Sequence, residues 1–381
     1  MSTTSLSFPG VVSQKNADHQ LKDNIQDSLN GGNAFYNQPD YLAATAQDFS
    51  QHKPLPAIYT WNTESKVVSI ATQTFSIIIF PIGIYKLLHI LAGKVALLPA
   101  SSPSLMGYSE NHANDSRSNI LLKDEWKYKR ITVEVDGYKI DATIVGKAST
   151  LNNGRWVLSS NGNGEFYEDK LSCSPDFKHI LNKINGNGIV FNYPGVGSSS
   201  GLPNRQAMAK AYRAILSFLE DQKNGIGARE IIGYGYSIGG GVQGDALKTH
   251  KLKKDVKYVF VKSRTFSDLS TTASILTSKP LGFLVILLGW NMGSVESSKK
   301  LQAPEIIMQT ARVQEYEELN DSSKIIGDGV IPANASLAQA LLDDNKCPKE
   351  NKLFLGISER HNDGLSNPSF LAKKIEAFFK K

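Results

Sequence analysis

Cysteine is scarce in this chain: Cys173 and Cys347 are the two in 381 residues. At most one bridge can form, which excludes a disulfide framework and fits a reducing or thiol-indifferent compartment. Concentrated positive charge is also missing. The net charge is +6, but the densest basic runs, Lys251-Leu252-Lys253-Lys254 and Lys380-Lys381, are short and carry no interleaved aromatic residues. That argues against a nucleic-acid surface and for a solvated basic face. The start, Met1-Ser2-Thr3-Thr4-Ser5, has no basic segment leading into an apolar one, so no secretory signal is expected. Neither a metal-ligand cluster nor a nucleotide-binding glycine pattern is present, so no cofactor is expected. With 41% hydrophobic and 20% charged residues, the composition is that of an ordinary globular protein.

No apolar run reaches the roughly 20 uninterrupted residues of a spanning helix. The nearest is 67–98, where Phe75-Ser76-Ile77-Ile78-Ile79-Phe80 is strongly apolar. Ser69, Thr72, Gln73 and Thr74 dilute it at one end, and Pro81, Gly83, Lys86, His89 and Lys94 interrupt it at the other. Two readings stay open: peripheral contact with a membrane, or packing on the core. A second run, 281–290, is about 15 Å long as a helix. It suits either a lid over a site or a buried core helix.

The chain divides into a polar, irregular arm (1–66), an apolar segment and linker (67–120), and a domain over 121–381 with a possible lid insertion near 270–300. In that domain the pattern alternates. Residues 128–135 and 138–145 read as strands around the hairpin turn Asp136-Gly137. Further strands fall at 156–158, 189–191, 230–234, 257–262, 305–309 and 353–356, with helices at 204–220, 238–250 and 367–381. Such alternation predicts an α/β fold with a mostly parallel sheet, helices on both faces and the hairpin as an antiparallel edge.

Two segments match G-x-S-x-G, so the motif alone decides nothing. Gly235-Tyr236-Ser237-Ile238-Gly239 has a strand before it and a helix after it, the context that lifts a serine hydroxyl clear of a sheet. Gly197-Ser198-Ser199-Ser200-Gly201 lies between Pro194 and Pro203 and reads as a flexible loop. Ser237 is therefore the candidate nucleophile. It needs a base, and the base needs an orienting carboxylate. Only His250 and His361 follow Ser237 in the sequence. His250 lies at the far end of the helix that Ser237 opens, about 18 Å away, so His361, after the final strand, is the candidate base. For the acid, Asp328 in Gly327-Asp328-Gly329 leads, with Asp321 and Asp268 as rivals; any of them could instead cap a turn. The expected oxyanion donors are the Ile238 amide and, from Asn161-Gly162-Asn163-Gly164, the amide of Asn163 or Gly164.

These marks, with Tyr193-Pro194-Gly195-Val196-Gly197-Ser198, Ile331-Pro332 and His361-Asn362-Asp363, resemble the α/β-hydrolase superfamily over about 128–381. More narrowly, Phe80-Pro81-Ile82-Gly83-Ile84-Tyr85, Leu98-Pro99-Ala100-Ser101, Arg264-Thr265-Phe266-Ser267-Asp268-Leu269 and Gly289-Trp290-Asn291 look like the CHLPS-protein group of Chlamydia and Legionella effectors of the SidB type. The resemblance implies a lipase- or esterase-like serine hydrolase of an intracellular bacterium, cytoplasmic or at a membrane surface, with delivery into a host cell as a further expectation. Two departures stand out: Asn161 where many relatives have His, and a long gap between the strand at Glu305 and Asp328. A small-molecule or lipid ester is the expected substrate. The rival readings are a lipid acyltransferase, a peptidase, and an interaction protein that kept the fold without turnover.

Overall fold

The computed structural model describes residues 47–62, 80–120, 125–174 and 176–380. Most of the expected arm over 1–66 and the first part of the 67–98 stretch lie outside them. The elements begin with β1 (Tyr59–Trp61), α1 (Phe80–Ala92), α2 (His112–Ser118), β2 (Lys127–Val135), β3 (Tyr138–Gly146) and β4 (Arg155–Ser160). They continue through α3 (Tyr167–Ser172), α4 (Asp176–Ile184), β5 (Asn187–Phe191), α5 (Arg205–Glu220), β6 (Glu230–Tyr236), α6 (Ile238–Leu247) and β7 (Lys257–Ser263). Then come α7 (Leu269–Leu276), α8 (Lys279–Leu287), α9 (Val295–Lys300), β8 (Glu305–Thr310), β9 (Glu317–Glu318), α10 (Leu337–Leu342), β10 (Lys352–Ile357) and α11 (Pro368–Phe379).

One sheet runs in the order β1-β2-β3-β5-β4-β6-β7-β8-β10-β9. From β5 to β10 every neighbour is parallel, which requires crossover connections between the strands. Asp136 (φ 47°) and Gly137 (φ 88°) both sit in the left-handed region, the conformation a tight hairpin needs and the one Asp-Gly tolerates. The hairpin is not the sheet's edge, however. Tyr59–Trp61 pairs in parallel outside it, with Tyr59 opposite Val133, so the sheet begins well before residue 121.

Alternate residues of the central strands feed opposite cores. Leu158 and Ile231 pack with Met208, Tyr212 and Val242 of α5 and α6. Val157 and Ile232 pack with Phe177, Leu181 and Leu371 of α4 and α11. Each fully buried side chain of this size contributes roughly 1.5–3 kcal/mol. The caps match the sequence: Asn204 accepts from the amides of Gln206 and Ala207 at the start of α5, and Asn367 accepts from Phe370 N ahead of Pro368 in α11.

Residues 80–120 are not a linker. Leu98 and Ala100 are fully buried, and Arg117 of α2 donates to Glu168 (3.0 Å) and Ser198 (2.8 Å). Nearby, Arg130 donates to Asp141 (2.7 Å) and to the carbonyls of Asp48, Gln51 and Lys53, fixing the segment ahead of β1. Asp141 also accepts from Tyr167 Oη at 2.8 Å. Asp141→Ala removes the carboxylate that pairs with buried Arg130 and is expected to cost about 3–5 kcal/mol in a denaturant titration; a loss under 1 kcal/mol would show that water replaces the carboxylate freely.

Candidate active site

Ser237 ends the turn from β6 into α6 with φ 53° and ψ −123°, a strained conformation for a residue with a Cβ. Several contacts hold it there. Its amide donates to Ser263 O (3.0 Å), and its carbonyl accepts from Thr265 Oγ1 (2.7 Å). Glycines make the turn sterically possible. A Cβ on Gly235 would lie 2.8 Å from Gly240 Cα, and one on Gly239 would lie 2.4 Å from Ser160 O and 2.7 Å from Asn161 O. The start of α6 thus rests directly on the backbone that leaves β4. Gly239→Ala must push these backbones apart and is expected to cost about 1–3 kcal/mol, read as a lower melting temperature; an unchanged melting temperature would show that the loop yields without cost.

His361 lies in the loop after β10. Its Nε2 is 2.9 Å from Ser237 Oγ and its Nδ1 is 2.7 Å from Asp328 Oδ2. All three residues are buried. Asp328 Oδ1 accepts from the amides of Val330 (2.9 Å) and Ile331 (2.6 Å), and the His361 amide donates to Asp328 O (2.8 Å). Burial pushes the Asp328 carboxyl up, but the hydrogen bond and charge of His361, with the Ile331 and Val330 amides, together hold it below its ordinary value.

The other candidates go elsewhere. Asp321 is exposed and caps its own turn through Ser323 N, while Asp268 caps α7 through Thr271 N. His250 Nε2 sits 3.0 Å from the Glu220 carboxylate. Ser199 is not in a flexible loop. Its hydroxyl donates to Asn192 O and accepts from Asp141 N, both at 2.9 Å, clamping residues 198–200 onto β3. Ile238 is the first residue of α6, where amides have no intrahelical partner and the helix dipole favours negative charge. In the loop after β4, Gly162 N donates to Glu165 (2.7 Å), and Asn163 O accepts from Ala100 N (3.3 Å). Asn161 accepts from Lys170 Nζ (2.9 Å) and receives Tyr193 Oη on its carbonyl (2.8 Å), fixing that loop from both sides.

Sequence reasoning missed the groups that hold His361. Tyr236 Oη donates to His361 O. Arg264, with φ 47°, donates to the carbonyls of Arg360 and Asp363 and lies 5.1 Å over the Tyr236 ring. Glu359 accepts from Tyr316 Oη (2.8 Å) and Ser366 N (2.6 Å) on the other side of the loop. The adjacency of Tyr236 to Ser237 was the one local hint. A cavity of about 170 Å³ opens beside these residues, lined by Glu165, Lys170, Asp176, Tyr236, Arg264 and Asp363.

The long gap before Asp328 also has a structural account. The chain leaves β8, adds β9 antiparallel to β10, and returns through the bridge Ala311–Ile325.

The sequence model of the family described as Chlamydia CHLPS protein (DUF818) matches residues 41–379. The alpha/beta hydrolase domain-containing protein WAV2 of Arabidopsis thaliana is 26% identical over 219 residues, covering 56% of this chain and 65% of WAV2, so the chain spans somewhat under two thirds of that relative. Among solved structures, an alpha-beta hydrolase from Vibrio vulnificus aligns with TM-score 0.56 at 14% identity, over 76% of this chain and 93% of its own. A Pyrococcus furiosus esterase aligns with TM-score 0.47 at 13% identity, over 67% and 91%. The Vibrio alignment carries the fold, an α/β-hydrolase fold.

Proposed function

This chain belongs to the Chlamydia CHLPS protein (DUF818) family, and we propose that it is a serine hydrolase that cleaves a carboxylic ester, with Ser237 as nucleophile, His361 as base and Asp328 as acid. The observation that carries the reading is the continuous hydrogen-bonded chain Ser237 Oγ–His361 Nε2 and His361 Nδ1–Asp328 Oδ2, at 2.9 and 2.7 Å.

Ser237 Oγ attacks the ester carbonyl carbon while His361 Nε2 takes its proton. Asp328 keeps Nδ1 protonated, so that Nε2 is free to accept, and stabilises the imidazolium that forms. The oxyanion is held by the Ile238 amide and a second amide from Asn163 or Gly164. Collapse breaks the ester C–O bond, and the imidazolium returns its proton to the departing alkoxide. Water, deprotonated by His361, then attacks the acyl-enzyme, releasing the acid and restoring Ser237.

A lipid or acyl ester is the substrate class this reading favours. Helices α7 and α8 follow β7, the parallel neighbour of β6, so their exposed apolar side chains lie toward the end of the sheet that carries Ser237, where an apolar ester would approach.

Labelling with a fluorophosphonate probe, followed by peptide mapping, tests the assignment. The expected adduct is on Ser237. A protein that takes no label, or takes it at Ser199, overturns the reading. Product analysis with water and with an alcohol acceptor separates hydrolysis from acyl transfer.

A further inference from the structure

Helices on water-soluble proteins bury their large apolar side chains and expose polar ones. Two segments beside the candidate site do the reverse. On α8 the inward residues are Gly282 and Val285, whereas Phe283, Ile286 and Leu287 are 64%, 52% and 58% exposed. The inner contact of the α7–α8 hairpin is small and polar: a Cβ on Gly282 would lie 1.8 Å from Ser274 Oγ and 2.6 Å from Ser270 O. On α1, His89 is buried while Leu87 and Leu91 are exposed. His89 stacks on Trp290 with ring centroids 4.7 Å apart, its Nδ1 donates to Leu288 O (2.6 Å), and Trp290 Nε1 donates to His89 O (2.7 Å). The polar groups that join α1 to the end of α8 therefore face inward. Val95, just after α1, is also 63% exposed.

We infer that this face docks on a phospholipid bilayer surface carrying anionic headgroups. Charge selects the partner. No Asp or Glu occurs from Phe80 to Ser109 or from Leu269 to Val295, and the basic side chains on these two stretches are Lys86, Lys94, Lys279 and His89. Exposed apolar side chains on segments whose charged side chains are lysines match a bilayer interface, where the lysines reach anionic headgroups. Insertion is shallow, because no helix among the described residues is long and apolar enough to cross a membrane. Docking brings the Ser237 edge of the sheet to the lipid. Residues 264–268 run from the β7 end beside Ser237 into α7, and Ala100, which follows α1, bonds the Asn163 carbonyl. The inference concerns binding and stands whether or not Ser237 is a nucleophile.

Flotation of the full chain with phosphatidylcholine vesicles, with and without phosphatidylserine, is the test. Recovery with the anionic vesicles, reduced at high salt and released by carbonate, is the expected result. Phe283→Glu with Leu287→Glu is expected to lower the vesicle-bound fraction about tenfold or more, and Lys86→Glu with Lys279→Glu is expected to abolish the preference for phosphatidylserine. All four side chains are exposed, so the melting temperature and circular dichroism of both variants should match the parent protein. Absence of flotation on both vesicles, or full flotation of the Phe283/Leu287 variant, overturns the inference. So does retention after carbonate, which indicates integral insertion. A parent protein that runs as a dimer in gel filtration and becomes monomeric in the Phe283/Leu287 variant, without flotation, assigns the face to a second copy of this chain.

Discussion

Replacing Ser237 with alanine is expected to lower turnover of an activated ester by about 10⁶-fold, the scale seen when a triad nucleophile is removed elsewhere. Without Oγ no acyl-enzyme forms, and the remaining amide donors assist only attack by water. Ser199→Ala is the informative control, because Ser199 belongs to the second G-x-S-x-G segment. Its hydroxyl bridges Asp141 N and Asn192 O in a buried setting, so its loss should act on stability, by about 1–3 kcal/mol, and leave turnover close to that of the parent. Initial rates with a chromogenic short-chain ester, alongside urea titrations of both variants, separate the two effects. Equal loss of turnover in both variants would remove the case for Ser237 as the sole nucleophile.

Asp328→Asn is expected to lower kcat by about 10⁴, because the amide permits the wrong imidazole tautomer and leaves the imidazolium uncompensated. Asp321→Asn should change little, since that side chain is exposed and caps one turn. Asp268→Asn should weaken the α7 cap by at most about 1 kcal/mol, because asparagine also caps. Near-normal turnover in Asp328→Asn, with collapse in either rival, would reassign the acid.

The same carboxyl carries a pH signature. Its folded value lies below its ordinary one, so ionised Asp328 stabilises the fold above the unfolded carboxyl range, and that contribution is lost as pH falls through the folded value. Asp328→Asn should therefore flatten the acid side of the stability curve, measured as urea midpoints from neutral pH down through the carboxylate range. An acid limb as steep as that of the parent would show that Asp328 is not linked to folding.

What could be read from the sequence was local. The elbow around Ser237 lies within about a dozen residues: an apolar strand, glycines two positions away on each side, and a helix. His361 could be reached by elimination, because His250 is held at the far end of the helix that Ser237 opens. Parallel strands buried on both faces are legible as short apolar runs, and Asp136-Gly137 announces its own turn.

What the tertiary structure decided depends on residues distant in sequence. The three residues of β1, Tyr59-Thr60-Trp61, all favour strands, but so short a run becomes a strand only because β2 offers an unpaired edge. Which aspartate meets His361 depends on the path of residues 311–327, and that path is set by β9 pairing with β10. Arg264 and Tyr236 hold the His361 loop across about a hundred residues of chain, a separation no periodicity reports. The exposed faces of α1 and α8 are the sharpest case. Their hydropathy is plain in the sequence, but only the packing of Gly282 on Ser274 and of His89 on Trp290 turns the large apolar side chains outward. Composition states how apolar a segment is; the partners of its smallest and most polar residues determine which way it faces.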